Sequence, residues 1–234
     1  MVGLITSSRH DYVQEACLYR VRKFTYPHYD YVVVDLDEDY DNYFHLLNRG
    51  FNVIKMEYSE PSTKRLAAGR EAIRQIAIKE NYDYILYMDA DLIAPVNIIE
   101  RMMVHDKDCV GFLYNYGVCP MNPSYPSIAR TGFTINRAAR TNMDKLDLYT
   151  WDEVYELLYP RCVRCYGAGI GLIKRKVFLE VPWRFCPDNI GEDVQYWHEC
   201  NDKKFEWWCD TSLRLDHLNT DWNAIFEGEH KCQK

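Results

Sequence analysis

The sequence has no apolar run near the roughly 20 residues that cross a bilayer, no lysine- and arginine-rich stretch, and no internal repeat, low-complexity segment or linker. Membrane-spanning segments are therefore not expected. A formal charge of −7 with no basic face argues against a nucleic-acid partner, since such proteins neutralise phosphates with clustered cations. Glycine and proline are sparse, at 11 and 9 of 234 residues, so neither a collagen-like nor a low-complexity disordered chain is expected. The opening "MVGLITSSRH" lacks the charged start and long apolar region of a secretory signal, and the expectation is a soluble, cytoplasmic protein. A second CxxC is missing too. The nine cysteines are scattered, and "CVRC" (Cys162, Cys165) stands alone. They read as buried or semi-buried thiols, leaving a disulfide or half a zinc site with Cys186, Cys200 or Cys209 as alternatives.

What is present is core material. Hydrophobic residues make up 47% and aromatics 15%, with 19 tyrosines and 6 tryptophans, enough for one folded unit; tyrosine also lines pockets well, with an apolar face and a polar tip. The chain opens with a β-rich run, "VGLITSS", followed by a helical pattern from about Tyr12 to Lys23. A second strand, Tyr31 to Val34, runs into "DLDED", and "FNVIKMEY" is a third. Leu66, Ile73, Ile76 and Ala77 then recur at helical spacing behind Pro61 and Ser62, which suit a helix start. "YDYILYMDADLIAP", Tyr82 to Pro95, is the fourth strand, ending in Asp89 and Asp91.

Strands alternating with helices predict an α/β domain with a mostly parallel central sheet flanked by helices, and such sheets bind ligands at the carboxyl ends of their strands. Ser7 and Ser8, Asp35 and Asp37, and Asp89 and Asp91 should therefore meet at one edge. The second half is less regular. "CVGFLYNY" is a strand; Met121 to Asn136, with Pro123 and Pro126 inside it and Pro120 just before, is a loop or hairpin; "TWDEVYELLYP" is a short helix with Thr150 and Glu153 as a capping box. "CYGAGIGLIKRKVFLEVPW" gives a glycine-rich turn, a strand and a helical turn. "GEDVQYWHEC" opens an amphipathic helix on an acidic pair, and "TSLRLDHLN" is a strand ending in His217.

Two aspartates one residue apart at a strand end suit a hard divalent cation, Mg²⁺ or Mn²⁺, which prefers oxygen ligands and keeps positions open for substrate phosphates. An acidic turn capping the next helix would look the same in isolation. Taken in order, however, "VGLITSS", "YVVVDLD", "YILYMDADLIAP", "GAGIGLIKRKVFLEVPW", "GEDVQYWHEC" and "DTSLRLDHLN" resemble the GT-A glycosyltransferases, specifically family 2-like members that use nucleotide-sugar donors.

The resemblance implies a single Rossmann-like GT-A domain over 1–234, with a nucleotide-binding half at 1–105 and an acceptor-binding and catalytic half at 106–234. It implies that Thr6, Ser8 and Asp35 hold the nucleoside, with Asp35 or Asp37 meeting the base. Arg70 would face the donor. Asp91 would ligate Mn²⁺ or Mg²⁺, Asp89 would contact ribose, a metal-bound water or the metal, and His217 would be a further ligand. Gly167, Gly169 and Gly171 would allow close approach to the sugar. Asp193 would be the base of an inverting transfer, with Glu192 orienting the acceptor or its loop. The donor would be UDP- or GDP-linked; the acceptor, whether glycan, protein, lipid or small molecule, is left open. Two alternatives stand beside this reading: a nucleotidyltransferase of related topology, although "TSSRHDY" has neither the glycine nor the lysine such enzymes carry after the first strand, and a catalytically silent binding protein of the same fold.

Overall fold

The structure, a computed structural model, describes residues 1–116, 125–126, 128–129, 161–163, 165–166, 168–187 and 191–218. The expected capping box at Thr150 and Glu153, and Gly167, lie outside these residues. Four parallel strands form the first half: β1 (Val2–Thr6), β2 (Tyr31–Asp35), β3 (Val53–Lys55) and β4 (Tyr84–Asp89). Their centres are continuous apolar runs, and Leu4, Val33, Val34 and Ile85 are fully buried, as expected for strands covered on both faces. Each such side chain contributes roughly 1.5–3 kcal/mol relative to exposure.

Between these strands run α1 (Gln14–Val21), α2 (Asp41–Asn48) and α3 (Ser62–Lys79). The helix expected from Tyr12 begins two residues later, because a single 3₁₀ turn, Ser8–His10, comes first. Gly50, at φ 75°, ends α2 in the left-handed conformation, where the absence of a Cβ matters.

The second half adds β5 (Leu92–Ile93), α4 (Ile98–Met103), β6 (Cys109–Tyr116), β7 (Tyr125–Pro126), β8 (Ile128–Ala129), β9 (Arg161–Val163), β10 (Cys165–Tyr166), β11 (Ile170–Lys174), α5 (Arg175–Glu180), α6 (Glu192–Asp202) and β12 (Trp207–His217). The main sheet runs β3-β2-β1-β4-β11-β6-β12. Only β11 is antiparallel to its neighbours in that row, so the sheet is mostly parallel, with β5, β7 and β9 as short antiparallel additions. Strand order reverses at β1, with β2 on one side and β4 on the other, which opens a crevice beyond their carboxyl ends. The long β12 follows β6 to Asp210, shifts register before Arg214, and ends paired with β5, so that His217 sits opposite Leu92, one residue past Asp91. That shift carries a late strand end to the carboxyl end of β4.

Two glycines let α3 lie close on this sheet. A Cβ on Gly3 would stand 2.2 Å from Ile73 Cγ2, and one on Gly69 would stand 3.0 Å from Leu36 Cδ2 and 3.2 Å from Ile5 Cγ2. The buried face of α3 includes Ala67, Gly69, Arg70, Ile73 and Ala77. Among the described residues, no helix is long and apolar enough to cross a membrane.

The contact between Gly3 and Ile73 makes a prediction. Gly3→Ala should destabilise the protein by about 1–3 kcal/mol through overpacking, and Ile73→Ala by about 2–5 kcal/mol through the cavity it leaves. The double variant should lose clearly less than the sum, because the added methyl takes up vacated space. Urea unfolding of all four proteins checks this, and simple additivity would contradict the close approach.

Candidate active site at the carboxyl ends of β1 and β4

A cleft of about 650 Å³ opens at this crevice. Asp37, Glu38, Asp39, Asp89, Asp91, Glu192 and Asp193 line it, against Arg9, Arg65 and Arg70. Seven carboxylates facing three guanidiniums would repel a bare diphosphate, so an anionic ligand needs added positive charge here.

Arg70 is at the back of the cleft. Its side chain is 5% exposed and makes ion pairs with Asp89 Oδ1 through Nη2 at 2.9 Å and with Glu192 Oε1 through Nη1. The guanidinium also lies over the Trp183 ring, 5.0 Å from its centroid; Trp183 in turn stacks on Tyr196 at 4.0 Å. Burial by itself opposes the arginine's charge, but Asp89, Glu192 and Asp193 more than offset it, and Arg70 is held protonated. Burial raises Glu192 to about 7, with Arg70 pulling the other way and Asp193 adding to the rise. Asp89 also shifts upward, from burial and the neighbouring Asp91, against the pull of Arg70.

Asp91 shifts in the opposite direction. Burial would raise it, but His217 and then His10 outweigh burial and hold the carboxylate below its ordinary range. His217 Nε2 is 3.3 Å and His10 Nε2 3.8 Å from Asp91 Oδ2, whereas Asp91 Oδ1 is buried with no hydrogen-bond partner. Among the described residues, no group of three or more His, Cys, Asp and Glu side chains is placed to hold a metal ion. Asp89 is turned to Arg70, and Asp91 is in contact with imidazole. The donors nevertheless fit a divalent cation: the orphaned Oδ1 needs a partner, and a buried, ionised carboxylate next to imidazole is a suitable donor set.

Across the cleft, α6 begins at the acidic pair. Asp193 Oδ1 accepts from the Val194 amide at 2.7 Å, and Oδ2 faces the Ala168 amide at 3.4 Å. Gly191 permits this fold-back, since a Cβ there would lie 2.4 Å from Asp193 Oδ1. Gly169 donates its N–H to the Tyr114 hydroxyl at 3.0 Å, and a Cβ on Gly169 would stand 2.8 Å from Tyr114 Cζ. The same ring meets His217 edge-on at 5.1 Å. Gly171 is packed against Trp207.

Thr6, Arg70, Asp89, Asp91, Gly169, Glu192, Asp193 and His217 thus line one cleft. Asp35 and Ser8 are placed differently. Asp35 is fully buried, taking Lys55 Nζ on Oδ2 and Asn42 Nδ2 on Oδ1, both at 2.7 Å, and Asp37 lines the cleft instead. Ser8 is exposed and donates its N–H to Asp37 Oδ2 at 2.6 Å. The Thr6 hydroxyl is occupied by Gln14 at 2.8 Å, and Gln14 continues to Asn42 at 2.9 Å. This chain of buried polar groups locks the ends of β1, β2 and β3 beneath the cleft. Asp37 was an alternative in the sequence, whereas His10, Tyr114, Gln14 and Asn42 carried no signal beyond adjacency to strand ends. Cys17, Cys109, Cys186, Cys200 and Cys209 are buried free thiols.

No family model matches the sequence, and no curated protein matches it. Solved structures do match the fold. One is described as GalNAc-T7 with UDP, GalNAc and Mn²⁺; it is 17% identical with a TM-score of 0.59, over 92% of this chain and 42% of that chain. Another is CMP:2-keto-3-deoxy-manno-octonic acid synthetase complexed with CTP; it is 11% identical with a TM-score of 0.53, over 99% of this chain and 97% of that one. This chain therefore spans less than half the length of the first. At such identities the likeness establishes the fold, a Rossmann-like, GT-A-like domain.

The raised Glu192 carboxyl has a consequence for stability. Its folded value of about 7 lies above the ordinary 4.5, so between these values the folded state holds a proton that the unfolded state has lost. The stabilisation is complete below pH 4.5 and is lost as pH rises through 7. We predict that stability in EDTA falls between pH 5 and 7.5 by on the order of 2 kcal/mol from this group, and that Glu192→Gln flattens the decline. Guanidinium unfolding across that range checks it, and an identical slope in the variant would contradict it.

Proposed function

We propose that the protein is a glycosyltransferase that moves one sugar from a UDP- or GDP-linked donor to an acceptor hydroxyl in the presence of a divalent cation, Mn²⁺ or Mg²⁺. The observation supporting this reading is the meeting, on one cleft, of Asp91 and His217 with the Glu192–Asp193 pair. Two chemistries are then within reach of each other, leaving-group neutralisation and proton removal. A cation held by Asp91 and His217, with Asp89 near it, would supply positive charge to the departing diphosphate.

This chain's own residues do the rest. Asp37 and the Ser7–Ser8 segment at the end of β1 receive the nucleoside. Arg70, fixed by Asp89 and Glu192, faces the donor as a permanent cation. Asp193 accepts the acceptor's hydroxyl proton as that oxygen attacks the anomeric carbon and the bond from carbon to diphosphate oxygen breaks, an inverting displacement. Glu192 positions the start of α6 through Arg70. The Gly169–Tyr114 contact sets the sugar-facing backbone.

A nucleotidyltransferase would use the same fold, but the segment after β1 is a tight turn closed by His10 N–H to Ser7 O at 2.9 Å and Asp11 N–H to Ser8 O at 3.1 Å, with no glycine or lysine in it. Incubating the purified protein with UDP- and GDP-sugars, with Mn²⁺, Mg²⁺ or EDTA, and measuring free nucleotide by chromatography tests the reading. Metal-dependent release from one donor is expected. Asp91→Asn should abolish it, and Asp193→Asn should lower transfer by about 10²–10⁴-fold with donor affinity retained. Pyrophosphate release from a nucleoside triphosphate and a sugar phosphate would instead favour nucleotidyl transfer, and donor binding without turnover under any acceptor would favour a silent binding protein.

A further inference from the structure

The part of the cleft beyond β2 and β3 is built differently from the part at Asp91. Asp35 pairs with Lys55 across these parallel strands, so the chain leaves both at the same edge, and Leu36–Asp39 and Tyr58 line the cleft from there. Tyr58 is 37% exposed, and the Arg65 guanidinium lies over its ring, 4.4 Å from the centroid. Arg65 is held in turn by Glu60 Oε1 at 2.7 Å and the Ser59 carbonyl at 3.0 Å, and the Tyr58 hydroxyl donates to the same Glu60 oxygen. The ring is thus fixed in place yet open to the cleft.

The cations nearby answer other acids. Arg65 pairs with Glu60, Lys55 pairs with the buried Asp35 at 2.7 Å, and the exposed Arg9 adds its charge to the same Glu60. Asp37 Oδ2 takes the Ser8 amide at 2.6 Å and Asp39 Oδ1 the Asp41 amide at 3.0 Å. Glu38, between them, is exposed and has neither an ion pair nor a hydrogen bond among the described residues. The Tyr58 hydroxyl is shifted upward first by its bond to Glu60, and the charge of Glu38 adds to that shift, so the Glu38 carboxylate is near the aromatic ring.

We propose that Tyr58 and Glu38 form a guanine subsite, the base stacking on the tyrosine ring while the carboxylate accepts its N1–H and 2-amino N–H, so that the donor is GDP-linked. This rests on the reading that the cleft holds a nucleotide donor, and it goes beyond that reading in choosing the base. Guanine alone among the common bases presents two N–H donors side by side, the pattern that a carboxylate receives as a pair of charge-assisted hydrogen bonds. Uracil presents one N–H between two carbonyl oxygens, and both carbonyls would face negative charge. Adenine and cytosine place an amino group next to a ring nitrogen that is itself an acceptor. The larger purine also covers more of an aromatic platform than a pyrimidine does.

The test is isothermal titration of the protein, with Mn²⁺ present, by GDP, UDP and inosine diphosphate, which lacks only the 2-amino group of guanine. The wild type should bind GDP about 10- to 100-fold more tightly than either of the other two. Glu38→Ala should weaken GDP by a similar factor and abolish its advantage over inosine diphosphate. Tyr58→Ala should weaken GDP by about 5- to 100-fold while keeping that advantage. UDP binding as tightly as GDP, equal affinity for GDP and inosine diphosphate, or an unchanged ratio between these two in Glu38→Ala would overturn the guanine subsite and leave the nucleotide-donor reading standing. Failure of all three nucleotides to bind the wild type would overturn both. The ranking in the wild type decides the matter even if a variant fails to fold.

Discussion

Arg70 carries a charge that α3 could not bury alone, and both of its carboxylate partners come from elsewhere in the chain: Asp89 from the end of β4 and Glu192 from the start of α6. Desolvating a guanidinium and two carboxylates is expensive, and removing the guanidinium would leave two buried carboxylates uncompensated, typically at about 3–5 kcal/mol. The arrangement therefore ties the two halves of the domain into one geometry. Gly69, the residue before Arg70, lets α3 come close to Ile5 and Leu36, which brings the guanidinium within reach of both partners. Trp183 and Tyr196 form an aromatic stack beneath it, and the Trp183 amide is held by Glu71, also on α3.

With Asp89 engaged by Arg70, Asp91 is the carboxylate left facing imidazole. Neighbouring acids at one strand end thus have different environments, one shifted upward by burial and the other downward by two histidines. Such divergence is characteristic of sites where similar groups do different work. The surplus of carboxylates in the cleft points the same way, since an acidic surface becomes a diphosphate site only when a cation neutralises both sides.

Much of the frame was legible from the chain. β1, β2 and β4 are continuous apolar runs that stop at polar residues, and a parallel sheet brings such stops to one edge whatever their separation in sequence. The register of Ile5 with Asp89 and of Thr6 with Asp35 then follows from strand pairing. The choice between Asp35 and Asp37 was not legible, because residues two apart fall on the same face of an extended strand, and the strand's end at Asp35 and the neutralising Lys55, twenty residues on, are set by the fold. His10 and Tyr114 escaped for a related reason. Tyr114 matters through its edge contact with His217, and His10 through Asp91, which His217 also meets; His217 reaches the site only after β12 shifts register between Asp210 and Arg214, and no local pattern encodes such a shift. The acidic pair at Glu192 was visible, but its division was not: Gly191 folds Asp193 back along the helix start, while Glu192 turns inward to Arg70.

The central claim is that the cleft holds a nucleoside diphosphate and a divalent cation as interdependent ligands. Calorimetric titration of UDP and of GDP into the metal-free protein, with and without Mn²⁺, measures that dependence directly, since each ligand must change the other's affinity by the same factor. The account predicts binding of one nucleotide with Mn²⁺, little or none in EDTA, and an equal strengthening of Mn²⁺ by that nucleotide. Equal nucleotide affinity with and without the metal would contradict it.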